Sequence, residues 1–454
     1  METVETKDST PSQKAFELPI NQILCGDCRE VVQSWPAACI DTIITDPPYN
    51  LGFMGKEWDS SGIAFNVPLW KEMLRIAKPG AIMLVFGGTR TFHRLTCAIE
   101  DAGWEIRDCL MWLYGSGMPK SMNISKAIDK SKGAQREVIG EGRSGNPETH
   151  TSIYRMSQQG NNTFGGKIDI TIPASDLAKL WDGWGTALKP SFEPILLCQK
   201  PLDGTFAHNA EKYGVAGLNI DAARIGTGNH IVHGKEVGKF QPCGGQAIKD
   251  YHEVQGRWPA NVILECICDE VIEGKEIGRE GGYNFEKSNN DNPSHITTNI
   301  KSGIHFKDRQ LIHTNPECPC YMLDQQSGTL KGGASRFFYC AKSPKSERDA
   351  GLEDMPEQIK VWTGQSDKSS KDIKDVEQRF TTKIKNSHPT VKPLKLMEYL
   401  CKLTSTPTGG LILDPFCGSG STCIAAKRLG RPFIGIDKEK IYCEISCKRL
   451  NAVV

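Results

Sequence analysis

Apolar and polar positions follow an alternating strand and helix rhythm at both ends of the chain and lose it in the middle. Residues 41–45 (DTIIT) are a short β-branched run ending at Asp-Pro-Pro, which predicts a buried strand opening directly into a loop. Leu69, Trp70, Met73, Leu74 and Ile76 recur at helical spacing until Pro79-Gly80 stops them. Residues 81–86 (AIMLVF) then read as a second buried strand closed by Gly87-Gly88, followed by a helix over 91–102 and a strand over 104–113. This βαβ order predicts an α/β fold with a doubly wound, mostly parallel sheet.

From 115 to about 185 the pattern breaks into polar, glycine-containing sequence such as GEGRSGNPETH, and it returns as a strand-like run at 193–199 (EPILLCQ). Residues 203–386 are rich in Gly, Asn, His and Lys, with short apolar runs at 261–265 (NVILE) and 337–340 (FFYC). Runs of that length do not make a core alone, so this stretch reads as a large irregular insertion carrying loops for a partner. Strict order resumes with a helix over 394–403, a strand at LILD, a helix over 421–429 ended by Gly430, and a strand over 432–437. No internal repeat is evident.

At 454 residues, with 38% hydrophobic and 24% charged residues, the chain is long enough for one large core plus an insertion. No apolar run approaches the ~20 residues of a membrane span. The polar, acidic start (METVETKDSTPSQKAFELP) lacks a signal-type apolar stretch, and the 17 cysteines are scattered, so a cytoplasmic chain with reduced thiols is expected. The net charge of +1 hides a basic segment from 381 onward, with 12 Lys/Arg against 5 Asp/Glu, which suits either a polyanion or a solvated face.

Two motifs carry chemistry. Near the end, LILD runs into Pro415-Phe416-Cys417-Gly418-Ser419-Gly420 and then a helix. Gly418 and Gly420 permit a tight turn and close ligand approach, and the helix N-terminus offers free N–H groups. Asp437 closes the next strand about 20 residues on, where a carboxylate can accept from ribose hydroxyls. Neither GxxxxGK[ST] nor GxGxxG is met, so a nucleoside is favoured over a phosphate ligand.

Near the start stands Asp46-Pro47-Pro48-Tyr49. The prolines stiffen the loop and leave carbonyls free to accept, so the Asp46 carboxylate and the Pro47 carbonyl can hold the two hydrogens of an exocyclic amino group. Tyr49 offers a face for a base to stack on, worth ~1–3 kcal/mol. A strand-terminating turn with a packed tyrosine is the plainer alternative.

Together these residues resemble the DNA amino-methyltransferases, the N6-adenine and N4-cytosine enzymes that use S-adenosylmethionine. The order, with the catalytic tetrad first and the cofactor turn last, looks like the β arrangement of that family, over about 21–115 and 386–450. The resemblance implies a fold of the S-adenosylmethionine-dependent methyltransferase type. It further implies cofactor-binding roles for Asp27 of Gly26-Asp27, for Thr390 and Lys392 of HPTVKP, and for Asp414, Phe416, Gly418, Gly420 and Asp437; Asp46, Pro47, Pro48 and Tyr49 match the catalytic tetrad. The segments TALKPSFEPILLCQKP, GRWPANVIL and SRFFYCAKSPKSERDAG look like those of phage- or prophage-borne members.

On this resemblance the chain divides into a flexible tail (1–20), a catalytic half (21–202) with a loop insertion at about 115–185, an inserted target-recognition region (203–386) and a cofactor-binding half (387–454). Double-stranded DNA is the implied partner, with a cognate restriction endonuclease in a restriction–modification setting and no membrane. Adenine is the preferred target, reached by base flipping. N4-cytosine, RNA or protein-glutamine methylation, and a silent DNA-binding protein of the same fold stay open as alternatives.

In the insertion, basic residues such as Lys120 and those of 342–348 (KSPKSER) suit phosphate contacts. The chemistry needs no metal. Cys266-Ile-Cys268 and Cys318-Pro-Cys320 nevertheless form two close pairs whose four thiolates suit a structural zinc, although CxC is tighter than the usual CxxC and buried free cysteines are common.

Overall fold

The computed structural model describes residues 16–51, 61–115, 121–143, 167–233, 251–268, 270–280, 305–316, 318–327, 334–335, 338–342, 347–356, 358–361, 381–388 and 390–453. Lys120 and residues 343–346 of the basic segment lie outside them.

Among the described residues nine strands form the main sheet: β1 (Gln22–Cys25), β2 (Ile40–Thr45), β3 (Ala77–Phe86), β4 (Glu105–Leu113), β5 (Phe192–Gln199), β6 (Val262–Cys266), β7 (Tyr339–Lys342), β8 (Ile412–Asp414) and β9 (Phe433–Asp437). Their order is β1-β9-β8-β2-β3-β5-β4-β6-β7. All neighbours are parallel except β5, which runs antiparallel between β3 and β4. The fold is the doubly wound, mostly parallel α/β sheet expected.

Each face of the sheet is covered. On one side, α1 (Val67–Ile76) starts where the Asn66 side chain accepts from the Leu69 amide, and it buries Leu69, Trp70, Met73 and Ile76. With α2 (Phe92–Asp101) it covers Ile43, Met83, Val85, Leu413 and Ile434. On the other side, Leu396, Leu400 and Ile424 pack with Ile44, Leu84 and Ile412. They belong to α4 (Leu394–Leu403) and α5 (Ser421–Arg428); α6 (Lys440–Asn451) closes the chain. In the middle region Pro319–Gln326 forms α3.

Three differences from the sequence expectation have physical reasons. Helix α1 ends at Ile76 and β3 already runs through Pro79-Gly80. Gly80 sits at φ +79°, its amide bonds to the Lys200 carbonyl at 3.1 Å, and a Cβ there would meet Asn209, Leu202 and the Val215 carbonyl at 3.1 Å. The residue that reads as a helix stop is thus a close approach within a strand.

Residues 115–185 carry more order than their composition suggests: a helix at Ile124–Ser131, a hairpin of Glu137–Arg143 with Lys167–Ile172, and a short helix at Asp176–Leu180. Buried Asp129 ties them, accepting from Arg136 (2.8 Å) and from the Ala174 and Ser175 amides (3.0 Å each). Polar bonding, which leaves no periodic apolar signature, organises this stretch.

The region 203–386 is not separate from the sheet. Its two apolar runs become β6 and β7, which extend the sheet beyond β4 in parallel register, Val262 beside Met111 and Ile263 beside Tyr339. A strand of four or five residues suffices at an edge, and that is what such runs supply. Among the described residues no helix is long and apolar enough to cross a membrane.

Candidate active site

Strand order explains how distant motifs meet. The parallel neighbours β1, β9, β8 and β2 all point the same way, so the segments that follow them emerge along one edge: Gly26-Asp27, Asp437, the 415–420 turn, and Asp46. Ligands of open α/β sheets bind beyond these carboxyl ends. A cavity of about 550 Å³ lies there, and its wall includes Asp27, Asp46, Pro47, Pro48, Tyr49, Thr390, Phe416, Gly418 and Asp437. Gly420, Asp414 and Lys392 stand behind that wall.

At the Asp46 side, Lys392 is the hub. Its ammonium lies 2.6 Å from Asp46 Oδ2, 3.2 Å from Glu193 Oε2 and 3.3 Å from Tyr49 Oη. The Tyr49 hydroxyl donates to Glu193 Oε2 at 2.9 Å, and its backbone carbonyl accepts from Thr91 Oγ1 at 2.8 Å, so ring and loop are both fixed. The other Asp46 oxygen, Oδ1, is buried with no hydrogen-bond partner in the protein.

Burial pushes the Asp46 pKa up, with Lys392 opposing and Glu193 adding to the rise. Burial disfavours the Lys392 charge, but the two facing carboxylates outweigh it and its pKa rises too. Tyr49 is held neutral, far above its ordinary value, by burial and the neighbouring Asp46 and Glu193 charges.

The turn after β8 is built around Gly418, at φ +53°, where a Cβ would lie 2.6 Å from His388 Nε2. His388 meets Tyr442 edge-on at 4.7 Å between ring centroids, which closes that end of the cavity. Asp437 accepts from the Gly418 amide (2.9 Å) and the Glu439 amide (2.8 Å), and burial raises its pKa to about 6. Each of its oxygens keeps a second lone pair for a ligand hydroxyl.

Asp414 is turned into the protein. Its carboxylate accepts from Thr422 Oγ1 (2.5 Å) and the Phe416 amide (3.1 Å), bracing strand, turn and helix α5, and burial raises its pKa to about 7. Asp27 caps the short helix Cys28–Val31 and pairs with Arg29 at 2.6 Å; that side-chain bond holds its pKa low. Gly420 sits at φ +81°, where a Cβ would lie 3.1 Å from Ser446 Cβ and Oγ.

The geometry therefore moves Lys392 from the expected cofactor side to the Asp46 side. It also adds Glu193, Tyr114, His388 and Tyr442, which the motifs did not single out as site residues. Glu193 had a legible signal, a carboxylate near the head of the otherwise apolar Phe192–Gln199 strand. Tyr442 had none, being one position within helix α6. Of the four paired cysteines, Cys266, Cys268 and Cys318 converge with His313, and Cys320 falls outside that group.

Fold and cavity together define an α/β protein in which the Gly418 turn and the Asp46-Pro47-Pro48-Tyr49 loop face one space. A family model of N6/N4 methyltransferases, described as DNA methylase, matches residues 40–448, and the chain belongs to that family. It is 46% identical over 101 residues to the type II methyltransferase M2.DpnII of Streptococcus pneumoniae, covering 22% of this chain and 33% of that one. Against the type II methyltransferase M2.LlaDCHI of Lactococcus lactis subsp. cremoris it is 43% identical over 118 residues, 26% of this chain and 37% of that one. The chain thus spans about a third of the length of these curated relatives. Two solved structures are similar: the M1.HpyAVI–SAM complex (16% identity, 95% of this chain and 98% of that one, TM-score 0.36) and PvuII DNA methyltransferase, cytosine-N4-specific (12% identity, 94% and 85%, TM-score 0.38).

Proposed function

We propose that this chain transfers a methyl group from S-adenosylmethionine to the exocyclic N6 of an adenine flipped out of a specific duplex DNA sequence. The observation that carries this is Asp46 Oδ1, a buried acceptor with no partner beside the same cavity as the Gly418 turn. Such an orphan costs ~1–3 kcal/mol until a donor arrives. A base amino group supplies that donor.

The residues present fit the cofactor. The Gly418 turn and Asp437 suit a ribose, and Phe416 and Tyr442 give apolar walls for its base. When bound, S-adenosylmethionine supplies an electrophilic sulfonium methyl. The protein's share is positioning: Lys392 fixes Asp46 through Oδ2, Oδ1 and the Pro47 carbonyl take the amino hydrogens, and Tyr49 stacks on the base. The nitrogen lone pair would thereby be freed to take the methyl in line, the S–C electron pair would depart with S-adenosylhomocysteine, and the surplus amino proton would pass to Asp46 Oδ1.

Adenine is preferred because Asp46-Pro47-Pro48-Tyr49 in this motif order resembles the N6-adenine enzymes. The test is Asp46→Ala, which should abolish methyl transfer while cofactor affinity stays within a few-fold; retained turnover would remove Asp46 from the chemistry. Sequencing of modified bases in DNA from a host expressing the chain should show N6-methyladenine in one short site. N4-methylcytosine there would reassign the base.

A further inference from the structure

We propose that Cys266, Cys268, His313 and Cys318 bind one zinc ion that ties a recognition hairpin to the edge of the sheet. The four ligand atoms lie within 4.8 Å of one another and all four side chains are buried. His313 Nδ1 is 3.4 Å from Cys266 Sγ, 3.7 Å from Cys268 Sγ and 3.9 Å from Cys318 Sγ. Zinc bonds of ~2.3 Å to sulfur and ~2.0–2.1 Å to nitrogen, at tetrahedral angles, separate S from N by about 3.5–3.6 Å. The three observed spacings bracket that value, so His313 already stands at a zinc-compatible separation from each sulfur. The backbone amide of Asn315 donates to Cys268 Sγ at 3.4 Å, which suits a sulfur carrying negative charge.

The surroundings need such a tie. Among the described residues the local apolar cluster has five buried members, Leu264, Cys266, Cys268, Cys318 and Cys320, four of which are cysteines. So small a core holds little by packing, and small units of this kind rely on a metal or disulfides. The ligands come from three elements. Cys266 ends β6 and Cys268 follows it; His313 ends the strand His305–His313; Cys318 is the N-cap of α3. His313 pairs directly with Val271 at the root of the antiparallel hairpin Val271–Glu280 with His305–His313. One ion would therefore join the sheet edge, the hairpin root and the helix start. The set is Cys₃His, with His313 in the place the CxC pairing would give to Cys320. Binding displaces thiol protons and leaves three thiolates and a neutral imidazole on the metal.

The experiment uses the full chain, purified without chelator under reducing conditions. Elemental analysis should give about one zinc per chain, and X-ray absorption at the zinc edge should show three sulfurs and one nitrogen. Cys320→Ser should keep the zinc, whereas His313→Ala and Cys318→Ala should lose it. Removing the metal from the wild-type chain should speed hydrogen exchange in 271–280 and 305–313 and leave β2 and β8 protected. Absence of zinc from the wild-type chain, even after reduction and titration with zinc, would overturn the proposal. A four-sulfur shell, or loss of metal in Cys320→Ser, would overturn the ligand set. None of these readings depends on methyltransferase activity.

Discussion

Replacing Lys392 by Met separates two roles for one residue, because a cofactor contact and an Asp46 clamp predict opposite results. Met keeps the length and bulk and removes the charge. Lys392 is 8% exposed and Asp46 19%, so the pair is largely shielded and removing one partner costs on the order of 3–5 kcal/mol. Water reaching Asp46 through the cavity returns part of that. What remains disfavours the ionised Asp46 carboxylate, and its pKa, already raised by burial, goes up further. Glu193, left facing Asp46 without a cation between them, works in the same direction. In the proposed mechanism the ionised carboxylate accepts the amino hydrogens, and a raised pKa leaves less of it at any pH below the pKa. The acid limb of methyl transfer should therefore move to higher pH, with the rate at a given pH on that limb falling about tenfold for each unit of displacement and recovering as pH rises. The assay is tritiated methyl incorporation into DNA between pH 6 and 9.5, beside calorimetric cofactor affinity, which should change less than a few-fold. An unmoved acid limb together with cofactor binding weakened tenfold or more would refute this reasoning and return Lys392 to the cofactor side.

Three further outcomes follow from the geometry. Gly418→Ala, which sets a Cβ 2.6 Å from His388 Nε2 at φ +53°, should weaken cofactor binding at least tenfold by calorimetry, and His388→Ala in the same chain should recover part of it. Asp437, raised to about 6 by burial, accepts ribose hydroxyls best when ionised; cofactor affinity at pH 5 should be about tenfold weaker than at pH 7, with proton release on binding below pH 6. In the ligand-free protein the sign is reversed for stability, since a raised carboxyl pKa favours the fold at low pH and loses that contribution as pH rises through about 6. Arg431→Met removes a buried guanidinium that donates to the Gly409 (2.7 Å), Cys401 (2.6 Å) and Gly410 (3.1 Å) carbonyls, and urea denaturation should show a loss of about 2–4 kcal/mol.

Much of the site was legible because strand ends and turn residues leave short, strong signals. A β-branched run meeting Asp46-Pro47-Pro48, and a strand meeting Gly418 and Gly420, fix where the loop and the turn fall by local rules alone. That the two meet follows from β2 and β8 lying side by side in parallel, Thr42 beside Ile412, a pairing no local pattern announces. Side-chain partners were less legible for the same reason. Lys392 reads as a charge after a turn, yet its destination depends on Asp46 and Glu193, which arrive on β2 and β5 from far upstream. His313 is a lone histidine at the end of a strand, and only the return of the hairpin sets it among cysteines that the CxC spacing had already paired. Residues whose role is a conformation could be read singly, whereas residues whose role is an electrostatic partnership became readable only once the sheet order brought their partners near. The same distinction applies to Asp414, which a strong turn signal flanks and whose carboxylate accepts from Thr422 and the Phe416 amide. The motif marks where the turn is, and the hydrogen bonds decide which of its members face the cavity.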